Sequence, residues 1–279
     1  MSVSFPTAYL QTFTKDGLVW ADCVGCALLI YGYFISNRKN LWKVLLALGI
    51  TGLFGTIIEN FFHAKKLSSP DENWSFLLGM NEMNWTVFET SCVVYSLIKL
   101  ETTLTSLKVK RAVRFAMGVF LTCFVIGRFN IGYLRVQQNA IMNRTIGQAH
   151  AYAYIFWFLA DLLIFALLIY NTIIHMNNKK KSVSLLMNNL FKSSIPRFMI
   201  ITLNTLCLTI VSFSFSEVFV DSSIIQDPAS VTPLQDLSDF LWALKGTYPL
   251  ILLFDIHTTK SLIMMAAENE MDTLKLNKQ

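Results

Sequence analysis

Seven stretches of this chain are each long and apolar enough to cross a lipid bilayer, and together they account for most of its length. A helix spans the hydrocarbon core with roughly 20 mostly apolar residues. Stretches of that kind run over residues 17–36, 41–64, 74–100, 112–133, 149–176, 197–220 and 236–257. Between them lie turn, charge and proline signals: Asn37-Arg38-Lys39-Asn40, Ser68-Ser69-Pro70-Asp71-Glu72, and Asp227-Pro228 through Thr232-Pro233. Only 15% of the residues are charged and 54% are hydrophobic, whereas a soluble domain carries about a quarter charged residues. The sequence therefore predicts an all-α integral membrane protein, a seven-transmembrane helix bundle. Residues 1–16 read as an extracellular segment, 17–257 as the transmembrane domain and 258–279 as a cytoplasmic tail. The first segment shows no cleavable leader pattern, so the first helix is expected to direct insertion.

Orientation follows from Lys and Arg. Sixteen of them fall in the loops after the first, third and fifth stretches and in the tail, five on the opposite side, and Arg128 and Lys245 inside. The positive-inside rule then puts the N-terminus outside and the C-terminus in the cytoplasm. Two glycosylation sequons, at Asn73 and Asn143, both fall on the outer side. The net charge of +5 is spread over alternate loops, which argues against a nucleic-acid partner. All five cysteines lie within apolar stretches, and Cys23 and Cys26 read as small packing residues. With no retrieval signal evident, the expected location is the plasma membrane.

Ionisable groups inside a bilayer are costly and require a partner, a watery cavity or an interfacial position. Glu82 and Glu89 lie seven residues apart on nearly one face of the third helix, with Thr86 between them. Asp161 sits in the middle of the fifth and Lys245 near the middle of the seventh. Pro249 cannot donate to the carbonyl of Lys245, so a kink is expected at the lysine, with Trp242 and Tyr248 on roughly the same side. Two readings stay open. In one, Glu82 pairs with Arg128 and Lys245 with Glu89 as structural salt bridges. In the other, Glu82, Glu89, Asp161, Trp242, Lys245 and Tyr248 line a ligand-binding cavity. Asp22, Glu59, Glu217, Asp236 and Asp239 read as solvated rims. Together with Glu82, and with Asp221 and Asp227 in the last outer loop, they predict an acidic outer vestibule favouring a cationic ligand or metal ion.

On the cytoplasmic side, Lys179, Lys180 and Lys181 open a loop expected to bind anionic lipid, or to dock a cytoplasmic signalling protein. Residues 182–191 read as a short interfacial helix. His63, His150, His175 and His257 are scattered, with His63 and His150 read as interfacial, and no metal-ligand spacing, G-x-S-x-G, H-E-x-x-H or phosphate loop is found. An enzyme is not expected.

Seven helices, an outside N-terminus, short loops and a basic fifth connection resemble the layout of G-protein-coupled receptors. The resemblance is architectural. Tyr95-Ser96-Leu97-Ile98-Lys99 ends the third helix without an acidic-Arg pair, and Thr247-Tyr248-Pro249 stands where those receptors carry Asn-Pro-x-x-Tyr. It implies a receptor that senses a small ligand and signals through its basic loops. A lysine in the seventh helix with glutamates on the third is also similar to rhodopsins. That resemblance implies a retinal Schiff base at Lys245 with Glu89 or Glu82 as counterion. A cation or proton channel or transporter through Glu82, Glu89 and Asp161 is the remaining expectation.

Overall fold

The computed structural model describes residues 4–15, 17–36, 40–69, 72–140, 142–177, 181–218 and 233–258. They are helical apart from short connections, with no strand among the described residues. In chain order the helices are α1 (Phe5–Lys15), α2 (Gly17–Ile35), α3 (Asn40–Ser68), α4 (Ser75–Thr103), α5 (Leu107–Gln138), α6 (Arg144–Asn177), α7 (Lys181–Val218), α8 (Pro233–Gly246) and α9 (Tyr248–Thr258). Four of these are long and apolar enough to cross a membrane: α3, α5, the Arg144–Asn171 part of α6 and the Ser194–Ser214 part of α7. A fifth crossing is formed if α8 and α9, bent by 42° at Thr247, count as one. The apolar part of α2, Val19–Ile35, is shorter. α4 is 29 residues long but interrupts its apolar sequence with Glu82, Glu89, Lys99 and Glu101.

The surface of the bundle is apolar as well as its core, and several charges lie inside. Arg128, Lys245, Glu82 and Glu89 are buried, while Phe34, Phe115, Ile126, Phe129, Ile210 and Phe254 are more than half exposed. Such a surface is stable only against hydrocarbon, and helices satisfy their backbone groups internally as that setting demands. The protein is membrane-embedded and helical.

Consecutive helices pack as neighbours from α2 to α8, and α2 returns to meet α8. Small residues set the closest approaches, as is common between membrane helices. A Cβ on Gly127 of α5 would stand 2.9 Å from Ala153 Cβ and 3.2 Å from its Cα. Gly132 of α5 meets Gly79 and the stem of Glu82 on α4, and Gly49 of α3 meets the backbone of Cys26 on α2. Helix ends are closed locally. Asn139 adopts a left-handed conformation (φ 45°) after α5, and the Asn143 side chain accepts a bond of 2.9 Å from the Ile146 amide to start α6.

Three features differ from the sequence expectations. Residues 5–15 form a helix, α1, that packs on α3. Phe5 packs edge-on against Phe61, and Lys65 lies over both Phe5 and Trp74 at 4.6 and 4.5 Å. Residues 182–191 are not a separate interfacial helix; the backbone continues through Pro196 as one 38-residue α7. The kink expected at Lys245 falls two residues later, as a 42° break at Thr247 that splits the seventh stretch into two helices. Pro249 sits in the first turn of α9, where its missing N–H costs no hydrogen bond, and the Thr247 carbonyl accepts from Leu250 and Ile251 at 3.0 Å.

If the α5–α6 crossing sets the bundle geometry, Gly127→Val should cost about 1–3 kcal/mol by forcing the helices apart. Gly118, with open space where a Cβ would stand, should tolerate Ala with a gain of about 0.5–1 kcal/mol. Thermal unfolding of the two variants in nanodiscs checks both.

Candidate functional site

The helix crossings concentrate charge at one place. On α4, Glu82 and Glu89 face α5, where Arg128 and Arg135 are likewise seven residues apart. Because α4 and α5 run antiparallel, the two ladders meet rung to rung. Arg128 grips Glu89 through Nε at 2.7 Å and through Nη2, and donates from Nη1 to Glu82 at 2.7 Å. Arg135 donates from Nη1 to the other Glu82 oxygen at 2.5 Å. Lys245 of α8 adds a third cation by pairing with Glu89. Forked guanidinium–carboxylate bonds of this kind suit Arg, whose planar donors match a carboxylate. Arg128 is wholly buried and none of the five side chains is more than 5% exposed.

Aromatic rings close this network. The Lys245 ammonium lies 4.1 Å from the Trp242 ring centre and 4.5 Å from that of Trp85, with Phe88 and Trp157 further round. A Schiff base at Lys245 would require these rings to move. The Tyr154 ring lies 5.3 Å from the Arg128 guanidinium, and its hydroxyl is in reach at 3.4 Å. His150 of α6 sits between Arg135, whose Nη2 is 3.3 Å from Nε2, and Trp242, whose ring is edge-on at 6.2 Å.

Of the residues expected to line a cavity, Glu82, Glu89, Trp242 and Lys245 come together. Tyr248 and Asp161 are buried and bond to α7 rather than to these charges, the Tyr248 ring lying 6.4 Å from that of Trp157. The Tyr248 hydroxyl accepts from Asn204 Nδ2 at 2.8 Å on α7. Asp161 faces Thr205 of α7 and forms no ion pair among the described residues. Of the acids expected to form an outer vestibule, Glu82 is held by Arg128 and Arg135, while the Glu217 side chain, Asp221 and Asp227 lie outside the described residues. Asp22 is not a solvated rim: it is 3% exposed and accepts a 2.6 Å bond from Thr56. Lys179 and Lys180 lie outside the described residues, and Lys181 begins α7. Asn73 and Asn143 precede α4 and α6. An apolar groove of about 450 Å³ between α3, α4 and α5 contains none of the expected ligand residues.

Sequence reasoning missed several members. Arg135 lies past the end of the apolar stretch at Tyr133, where the sequence predicts an outer loop, yet α5 runs on to Gln138 and buries it. His150 was read as interfacial but is 1% exposed. A second buried network went unnoticed altogether. Asp255 of α9 pairs with Lys99 of α4 and Arg197 of α7, and accepts from Tyr95 at 2.8 Å and Ser194 at 2.9 Å. The available signal was an aspartate within the last apolar stretch.

Compared with protein families, characterised proteins and solved structures, the chain finds no match in any of the three.

Removing one partner of a buried pair strands the other charge, at a cost of about 3–5 kcal/mol. Glu89→Gln strands Lys245 and leaves Arg128 to Glu82 alone, and should reach that range. Lys245→Met leaves Glu89 still held by Arg128 and should cost clearly less. Melting temperatures of the two variants in nanodiscs give the ranking.

Proposed function

We propose that this chain is a seven-transmembrane receptor-like protein of the plasma membrane, with its N-terminus outside and its C-terminus in the cytoplasm. It senses a small ligand in the half of the bundle that holds Glu82, Glu89 and Lys245. It signals through basic cytoplasmic loops, Lys179, Lys180 and Lys181 among them, to a cytoplasmic protein and to anionic lipid. α2 and α4 complete the set of spans, the glutamates of α4 being neutralised within the bundle.

One observation carries the reading. The bent α8–α9 element contributes one charge to each buried network, Lys245 before the bend and Asp255 after it. A change in the Glu89–Lys245 pairing therefore acts on a hinge whose far arm holds Lys99 and Arg197, two cations at the basic end of the bundle. Coupling between sites needs a two-state element that both sites bias, and a helix broken at Thr247 is a candidate for one.

Hydrogen exchange on the full-length protein in nanodiscs tests this. Lys245→Met should speed exchange in α9 and around Lys99, beyond the bend. Gly127→Val, a destabilised control, should not reproduce that pattern. Faster exchange confined to α8 would sink the coupling. The topology has its own check. An N-terminal tag should be reachable on intact cells, a C-terminal tag only after permeabilisation, and a glycan should be lost in Asn143→Gln. Reversed accessibility would overturn the orientation.

A further inference from the structure

The groove of about 450 Å³ between α3, α4 and α5 lies on the outside of the bundle, the surface that meets lipid. Ala47, Thr86, Thr90, Val94 and Val125 line it, and Val87, 44% exposed, stands at its rim. The Thr86 and Thr90 hydroxyls donate at 2.6 Å to carbonyls of their own helix, those of Glu82 and Thr86, so they call for no polar occupant. Lined in this way, the groove suits hydrocarbon rather than water.

Its length has a natural measure. Gly52 and Gly55 of α3 meet Phe88 and Trp85 of α4, so the two helices run antiparallel, and this register sets Lys43 level with Leu97. From Thr86 to that level is about 16 Å at a rise of about 1.5 Å per residue. One leaflet's share of the hydrocarbon core is about 15 Å. The groove therefore runs from the middle of the bilayer, beside Glu82 and Glu89, to the depth of the headgroups. Lys43 lines its headgroup end, in the first turn of α3. This lysine is exposed and pairs with no carboxylate among the described residues.

We propose that the groove holds one acyl chain of an anionic glycerophospholipid whose headgroup is held by the Lys43 ammonium. The chain lies along α4 from Val94 to Thr86. Filling an apolar groove from within lipid releases no water, so its shape fixes the place of the chain while the lysine selects the headgroup. A zwitterionic lipid fits the same groove without that attraction. The inference does not depend on the receptor reading, and it applies to whichever leaflet contains Lys43.

The test titrates the full-length protein with phosphatidylglycerol and with phosphatidylcholine of identical chains and reads the first bound lipid by native mass spectrometry. The wild type should bind the first phosphatidylglycerol about fivefold more tightly, the scale of one lysine's attraction to an anionic lipid surface. Lys43→Gln should bring the ratio close to one, and Lys108→Gln, a change at the same end of the bundle but outside the lining, should leave it unchanged. Val87→Trp, on the exposed rim, should weaken both lipids together. Equal affinities in the wild type overturn the proposal, as does a preference that Lys43→Gln leaves intact or binding that Val87→Trp does not alter. Position is read on the wild type alone, so it stands even if a variant does not fold. Phosphatidylglycerol carrying a diazirine at the chain end should label α4 between Thr86 and Val94. Labelling spread evenly over the lipid-facing helices would remove the site.

Discussion

A guanidinium in a hydrocarbon slab must be met by carboxylates at contact distance, or the helix carrying it will not stay there. Arg128 is that group here, and the surrounding arrangement follows from satisfying it. Its fork takes both oxygens of Glu89 and reaches Glu82, which draws α4 and α5 together. Gly79 and Gly132 stand where the two helices meet. Once Glu82 and Glu89 are placed, Arg135 and Lys245 have their partners, and Lys245 in turn decides where α8 lies. Trp85, Trp242 and Trp157 fill the remaining space with rings whose faces tolerate a cation.

The sequence made the helices legible because the bilayer imposes a length and a composition that no soluble fold imitates. It also exposed the acid pair of α4 and the two pairings, Glu82 with Arg128 and Lys245 with Glu89, since a charge within an apolar run must find its complement. What stayed hidden shares one cause. A charge at the end of an apolar stretch looks the same in sequence whether it meets water or another helix. Arg135, His150 and Asp22 sit at such ends, and neighbouring helices cover all three. Asp255, Lys99 and Arg197 belong to separate elements far apart in the chain, so no local spacing joins them. α1 escaped because its apolar face, built from Phe5, Ala8 and Tyr9, is too short to register as a span.

The two buried networks differ in character. The first is enclosed on all sides and holds more positive than negative charge. The second, around Asp255, is edged by Lys99 and Arg197, whose side chains remain 16% and 13% exposed. Long basic side chains at the end of a membrane helix keep contact with water while their stems stay in the apolar layer. A rearrangement of the second network is therefore open to a partner at the surface, whereas the first can be reached only through the bundle.

The connection between α4 and α5 is three residues long, and Arg114 clasps Glu101 across it with bonds of 2.5 and 2.6 Å. That short turn bears on how the chain is made. During synthesis α4 emerges first, with Glu82 and Glu89 bare, and as a lone segment it is a poor candidate to partition into lipid. α5 follows at once and brings the two arginines that neutralise them. The pair thus suits entry as a hairpin, its charges already cancelled, so the pairing that holds the finished protein together also serves as the condition for its delivery into the membrane.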